Sequence, residues 1–298
     1  MFNKVNKYVC FGEVLMDNFP TGKVIGGAPL NVAVWLSKFG QLVSMFTGVG
    51  DDDDGKRLMN HMQEYGIDTE FVQVNKELKT GLVEVKVDYR GSATYSIPHP
   101  VAWDKVEFVD AMAEKVQAAD AFFYSTLPAR DDVNYNTITR LLPHAKYKIM
   151  DANLRPPHYD ETVVTTFCKE ADLIKFNDDE LFEIARMYGS TYKSLEENMQ
   201  FMQGKTNTPT ICVTKGKHGG MVLHDGEITY FSGYIADVID TVGAGDSFLA
   251  AFSAKFLTGS TVLDSLKFAC AVGAFVTSHR GGNPKIRDGE LDAYMEKL

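Results

Sequence analysis

Apolar positions along this chain follow two alternating periods. Tyr8-Val9-Cys10-Phe11 is a continuous apolar run ending at Gly12, the pattern of a strand buried on both faces of a parallel sheet. Pro29 stands where a helix would begin, and that helix runs to Phe39 and stops at Gly40. Val43 to Val49 reads as the next strand, followed by a helix entered near Leu58-Met59 and closed at Gly66. Helical patterns then run from Val106 to Ala119, from Val133 to Leu142 and from Ser265 to Ser278. Between them, Ala121 to Tyr124, Lys148 to Arg155, Asp172 to Asn177, Thr210 to Thr214, Met221 to Leu223 and Ile228 to Phe231 read as strands. Strands alternating with helices over most of the length predict a three-layer α/β sandwich around a mostly parallel sheet.

One stretch breaks this rhythm. Val83, Val85, Val87 and Tyr89 alternate with Glu84, Lys86 and Asp88, Arg90-Gly91 turns, and Ala93 to Ile97 returns. That is an antiparallel hairpin with one wet face, and the segment from Asp17 to Lys23 is available to join it. A lone hairpin is marginal in water. It must therefore pack on the large sheet, on substrate as a lid, or on a second copy of the chain as a homodimer.

The chemistry concentrates at Asp240-Thr241-Val242-Gly243-Ala244-Gly245-Asp246, where the strand-like pair Val238-Ile239 runs through a small-residue turn into a helix marked by Phe248, Phe252 and Phe256. A helix N-terminus presents unpaired N–H groups and partial positive charge, and Gly-Ala-Gly lets an anion come close. Asp246 is then either a first-turn acid or a base aimed beside the anion. Other polar residues sit at strand ends, where ligands of open α/β sheets gather: Glu13 and Asp17, and Asp151, Asn153 and Arg155. Asn31 is a surface position or an amide gripping hydroxyls. Asn177 and Glu180 form a capping box or hold metal-bound waters. Gly216, Gly219 and Gly220 turn the chain or admit a nucleotide. Gly50 to Arg57 nearly spells a P-loop, but Arg57 replaces the Ser or Thr and four carboxylates would repel a triphosphate.

Composition narrows the class. The 298 residues carry a net charge of −10, which argues against sequence-independent nucleic-acid binding. Cys10, Cys168, Cys212 and Cys270 lie far apart without metal spacing and read as reduced, buried thiols. The apolar run before Gly12 is too short for a signal peptide or a membrane span. The expected location is the cytoplasm.

Gly26-Gly27-Ala28-Pro29-Leu30-Asn31-Val32-Ala33 together with Asp240-Thr241-Val242-Gly243-Ala244-Gly245-Asp246 resembles the two signatures of the ribokinase-like, or PfkB, carbohydrate kinases. Asp151 to Arg155, Asn177 to Glu180 and Val213 to Gly216 fall between them in family order, so the resemblance covers nearly the whole chain. Gly12-Glu13-Val14-Leu15-Met16-Asp17, Gly-Gly-Ala-Pro and the Asp151–Pro157 stretch look most like fructokinases. The resemblance implies one ribokinase-like domain over residues 1–298, an αβα sandwich with a small antiparallel β lid from strands near 14–24 and 79–102. It implies an ATP- and Mg²⁺-dependent kinase that phosphorylates a hydroxymethyl group of fructose. Asp246 would be the general base, with Gly243, Ala244 and Gly245 as the anion hole. Asp17, Gly27, Asn31 and Arg155 would meet the sugar. Asn177, Glu180, Thr214, Gly216, Gly219 and Asn283 would serve the nucleotide, with Glu180 ordering Mg²⁺ through water and the Phe268–Asn283 segment near the adenine. Asp240 and Val242 would begin a loop for a monovalent cation such as K⁺.

Kinases for 2-keto-3-deoxygluconate or ribose are the rivals within the family. A catalytically inactive sugar or nucleotide sensor is the rival of another class, and a missing dinucleotide fingerprint disfavours an oxidoreductase.

Overall fold

The computed structural model describes residues 4–20, 22–87, 93–287 and 289–298, with the backbone alone at 85–87 and 93–95. Among the described residues the large sheet has nine strands. In spatial order they are Glu227–Phe231, Gly220–His224, Thr210–Thr214, Leu173–Asn177, Lys148–Asp151, Ala121–Ser125, Lys7–Phe11, Leu42–Gly50 and Val72–Asn75. Neighbours pair in parallel from Thr210–Thr214 to Val72–Asn75, while Gly220–His224 pairs antiparallel on both sides.

The apolar run at the N-terminus explains the layering. Tyr8 and Cys10 enter one core with Trp35, Phe248 and Phe252, whereas Val9 and Phe11 enter the other with Tyr124, Phe167 and Ile184. A strand of period two thus feeds two helical layers. The helix Ala28–Lys38 takes Pro29 in its first turn and ends before Phe39 and Gly40, as its punctuation predicts. All four cysteines are buried and unpaired.

A second sheet runs Gly22–Gly26, Leu15–Phe19, Gly81–Val87, Ala93–Ser96. Each outer pair is antiparallel, and the two hairpins join through a parallel pairing of Leu15–Phe19 with Gly81–Val87. Leu15 and Val83 pack together with Phe19 and Ile97, so the hairpin finds its apolar partner in the segment after Glu13. Tyr89, Arg90 and Gly91, where the turn is expected, lie outside the described residues.

Three expectations are corrected. Val238 and Ile239 form no strand and are 59% and 61% exposed. Ile239 and Asp240 instead donate their N–H groups to Thr277 O at the end of the helix Val262–Thr277. The strand from Lys148 stops at Asp151, and the chain turns at Asn153 with φ of 40°, a conformation asparagine tolerates. The pattern from Val106 yields a helix only over Asp110–Ala118.

Candidate active site

The C-terminal ends of the central strands, the start of the helix Ala28–Lys38, the turn before the helix Ala244–Leu257 and the small sheet enclose a cleft of about 350 Å³. Asp17, Gly27, Asn31, Arg155, Asn177, Glu180, Val242, Gly243, Gly245 and Asp246 all line it. Residues from opposite ends of the sequence therefore meet in one place, as open α/β sheets arrange their ligand crevices.

Gly243 is the N-cap of the Ala244–Leu257 helix and has φ of 75°, with no side chain capping the helix. A Cβ at Gly243 would collide with Gly282, so this turn requires glycine on both counts. Of the first-turn N–H groups, that of Ala244 donates to Thr241 O at 3.3 Å, while Gly245 and Asp246 line the cleft. Asp246 lies in the same turn, and its Oδ2 accepts a hydrogen bond of 2.7 Å from Asn31 Nδ2. Asn283 Nδ2 donates to Asn31 Oδ1 at 2.6 Å, and Trp35 Nε1 donates to Gly282 O at 2.8 Å. One face of the Ala28–Lys38 helix thus clamps the Gly282-Asn283 segment and aims Asn31 at Asp246.

Burial pushes the Asp246 carboxyl up to about 6, with Asp151 adding to the rise and Asn31, Lys175 and Arg155 opposing it. Glu13 is pushed up to about 7 and Asp17 to about 6, both chiefly by burial. Glu13 Oε1 accepts from Asn153 Nδ2, while its Oε2 is buried without a partner. Arg155 donates to its own Leu154 O, and its charge favours ionised Glu13, Asp17 and Asp246.

Asn177 and Glu180 do form the capping box: Asn177 Oδ1 accepts from Glu180 N, and Glu180 Oε2 accepts from Asn177 N, each at 2.8 Å. Glu180 Oε1 also accepts from Leu154 N. Capping and ligand binding are both open to Glu180, because each carboxylate oxygen keeps a lone pair. Asp240 ties two loops, its oxygens accepting from Val242 N and Gly281 N. Among the described residues no cluster of three or more His, Cys, Asp or Glu forms a direct metal-ligand set.

Thr214, Gly216 and Gly219 do not line the cleft. Thr214 sits in register beside Asn177. Gly219, at φ of 79°, approaches Phe231 and Gly233 so closely that a Cβ would clash with their backbone, which gives this glycine a packing role. Asn283 is likewise absent from the lining and meets Asn31 instead. A wider cleft of about 860 Å³ lies at the far end of the Ala28–Lys38 helix, between Lys38, Tyr65, Phe268 and Arg287. Phe268 packs there on Phe39, whereas Thr277, Gly281 and Asn283 of its segment meet Asp240 and Asn31.

Lys175, the partner of Asp151, escaped the sequence reading as a site residue. Lys175 Nζ lies 2.9 Å from Asp151 Oδ1, and the lysine lines the cleft. The signal was present as a single cation inside the apolar run Leu173-Ile174-Lys175-Phe176.

A family model described as "pfkB family carbohydrate kinase" matches residues 4–288. Over 315 aligned residues the chain is 26% identical to Probable fructokinase-3 of Arabidopsis thaliana, covering 93% of this chain and 88% of that protein. A fructokinase from Xylella fastidiosa with bound ATP superposes with a TM-score of 0.85 at 22% identity, over 98% of each chain. A fructokinase from Vibrio cholerae O395, in a form bound to fructose, ADP and calcium ion, gives 0.82 at 21%, also over 98% of each. The two structural likenesses establish the fold.

Proposed function

The chain belongs to the pfkB family of carbohydrate kinases, and within it we propose an ATP-dependent kinase acting on a hydroxymethyl group of a ketohexose, with fructose the first candidate. The curated relative named fructokinase and the fructose- and nucleotide-bound neighbours support that choice of substrates. The observation that carries the reading is the Asn31–Asp246 hydrogen bond beside an uncapped helix N-terminus, inside a cleft beneath the small sheet.

Asp17 and Asn31 hold the sugar hydroxyls, Gly27 admits the ring close to the backbone, and Arg155 stands at the rim. Asp246 takes the proton of the attacking hydroxyl. The hydroxyl oxygen forms a bond to the γ-phosphorus of ATP as the bond from that phosphorus to the β–γ bridging oxygen breaks, and the electron pair leaves on ADP. The N–H groups of the Gly243–Gly245 turn stabilise the charge of the transferring group. Thr214, Gly216 and Gly219 border the nucleotide. Asn177 and Glu180 fit a divalent cation held through water, since both Glu180 oxygens already accept backbone N–H groups. Mg²⁺ there would neutralise phosphate charge. The Asp240 carboxylate and Val242 carbonyl suit a monovalent cation loop. The small sheet closes over the sugar and excludes water.

A coupled assay for ADP release with ATP and a panel of fructose, ribose, glucose, adenosine and 2-keto-3-deoxygluconate tests this. Fructose is expected to give the highest kcat/KM, and a higher value for any other sugar displaces it. No sugar-dependent ADP release would overturn the kinase reading itself.

A further inference from the structure

We propose that Lys175 is a catalytic cation of this site, meeting the transferring phosphoryl oxygens with ammonium N–H donors that its own structure leaves free. This rests on the kinase reading above and adds to it a residue outside the two sequence signatures. Lys175 is only 6% exposed, the one buried lysine among the described residues. Its strand neighbours Ile174 and Phe176 are fully buried. Holding a charged, flexible side chain there is costly and calls for a reason.

The position supplies one. Lys175 Nζ lies 3.3 Å from where a Cβ on Gly245 would stand, so the ammonium sits directly under the anion-binding turn. It faces the cleft together with Asn177, Glu180, Gly243 and Asp246. Burial works against its charge, but Asp151, then Glu180 and Asp246, hold it protonated above the ordinary lysine range. The ammonium therefore lies near both the carboxylate that would order the metal waters and the one that would take the proton. A phosphoryl group in transit has to cross that space. Without Lys175, the cleft would confront it with Glu13, Asp17, Glu180 and Asp246 against Arg155 alone.

A purely structural ion pair explains less. An ammonium has three donors, and the structure gives this one a single hydrogen bond, to Asp151 Oδ1. Asp151 Oδ2 is buried with no partner. A pair built for stability would fill those positions, and buried pairs are in any case weak sources of stability. In the transfer Lys175 makes and breaks no covalent bond and keeps its proton, while the hydroxyl proton passes to Asp246.

The test uses the full chain. Lys175→Met, and Lys175→Met with Asp151→Asn to keep the pocket neutral, are compared with the native protein for kcat and for fructose binding by calorimetry. Both are expected to lose about 10²–10³-fold in kcat, the range for removing one preorganised donor, with the fructose Kd changed by no more than about threefold. Lys175→Ala is expected to regain at least about tenfold of its kcat with added ethylammonium and not with propanol, which fills at least as much space without charge. A folded double variant within about tenfold of native kcat, or rescue by propanol equal to that by ethylammonium, would overturn the proposal. Should Lys175→Met fail to fold, the double variant decides. Native protein that releases no ADP with any sugar would instead refute the kinase reading, a result separable from any variant's behaviour.

Discussion

Asn31 Nδ2 reaches Asp246 Oδ2 at 2.7 Å across 215 residues of sequence. The contact joins the first turn of the Ala28–Lys38 helix to the first turn of the Ala244–Leu257 helix. In the proposed mechanism it couples the residue that would hold the sugar to the one that would accept its proton.

Asn31→Ala should therefore impair two things together. A buried hydroxyl contact to a polar partner is worth roughly 1–3 kcal/mol, so sugar affinity should fall about ten- to a hundredfold while ATP affinity changes little. The lost hydrogen bond is one that lowers the Asp246 pKa, so the acid limb of kcat/KM should move to higher pH. Calorimetry and a pH profile check both, and equal losses for the two substrates would point to damage of the fold.

The pH dependence of the native protein has a stated sign. Asp246 must be ionised to act, and burial holds it at about 6. Below that pH, kcat/KM should fall with a slope near one. Stability runs the other way. Asp246, Asp17 and Glu13 have folded pKa values above their unfolded ones, so their contribution is full at low pH and is lost as pH rises through about 6–7. At pH 8, Asp246→Asn should be more stable than the native chain by roughly 1–2 kcal/mol after allowance for solvent screening, and the advantage should vanish near pH 4. Denaturant titrations at the two pH values measure it.

The small sheet is expected to act as the lid. Val83 is 3% exposed and packs against Leu15 beside Ile97, all three lining the cleft. Val83→Asp would set a charge against that apolar patch. The sugar KM should rise by at least about tenfold, with a larger share of ATP hydrolysed without transfer, as loss of water exclusion requires. An unchanged ratio of ADP to sugar phosphate would contradict the role.

Beneath the lid, Arg130 binds Asp104 through Nε and Nη2 at 2.8 and 2.9 Å, with Arg130 Cζ 4.2 Å from the centre of the Trp103 ring. The side chains are 4% and 0% exposed. Asp104→Ala would strand the guanidinium and free Val101 N from its acceptor, costing about 3–5 kcal/mol. A denaturant midpoint shift corresponding to less than about 1 kcal/mol would show that the pair is solvated.

Much of this was legible in residues whose signals are local. Pro29 and Gly40 mark the ends of a helix, Tyr8 to Phe11 marks a strand buried on both faces, and Asn177 with Glu180 marks a capping box that forms. Contacts that depend on strand order were not legible. The Lys175–Asp151 pair spans neighbouring strands, and the Trp35–Gly282 bond spans 247 residues. Val238-Ile239 misled because two apolar residues before a turn carry no information about whether a sheet edge is free to take them. The helix Leu195–Thr206 went unread because it buries Asn198 and Thr206 beside Met199 and Met202, so its inward face shows no clean apolar period.

The central claim is that Asp246 is the base, and the Asp246→Asn variant tests it most directly. Asparagine keeps the shape and can still accept the Asn31 hydrogen bond, but it cannot take a proton. With saturating ATP and Mg²⁺ on folded protein, kcat should fall by about 10²–10⁴, with the dissociation constants for sugar and ATP little changed. Gly243 and not Asp246 is the N-cap of this helix, so a near-normal kcat in that variant would mean that Asp246 is only a first-turn acid beside the helix dipole, and would contradict the mechanism.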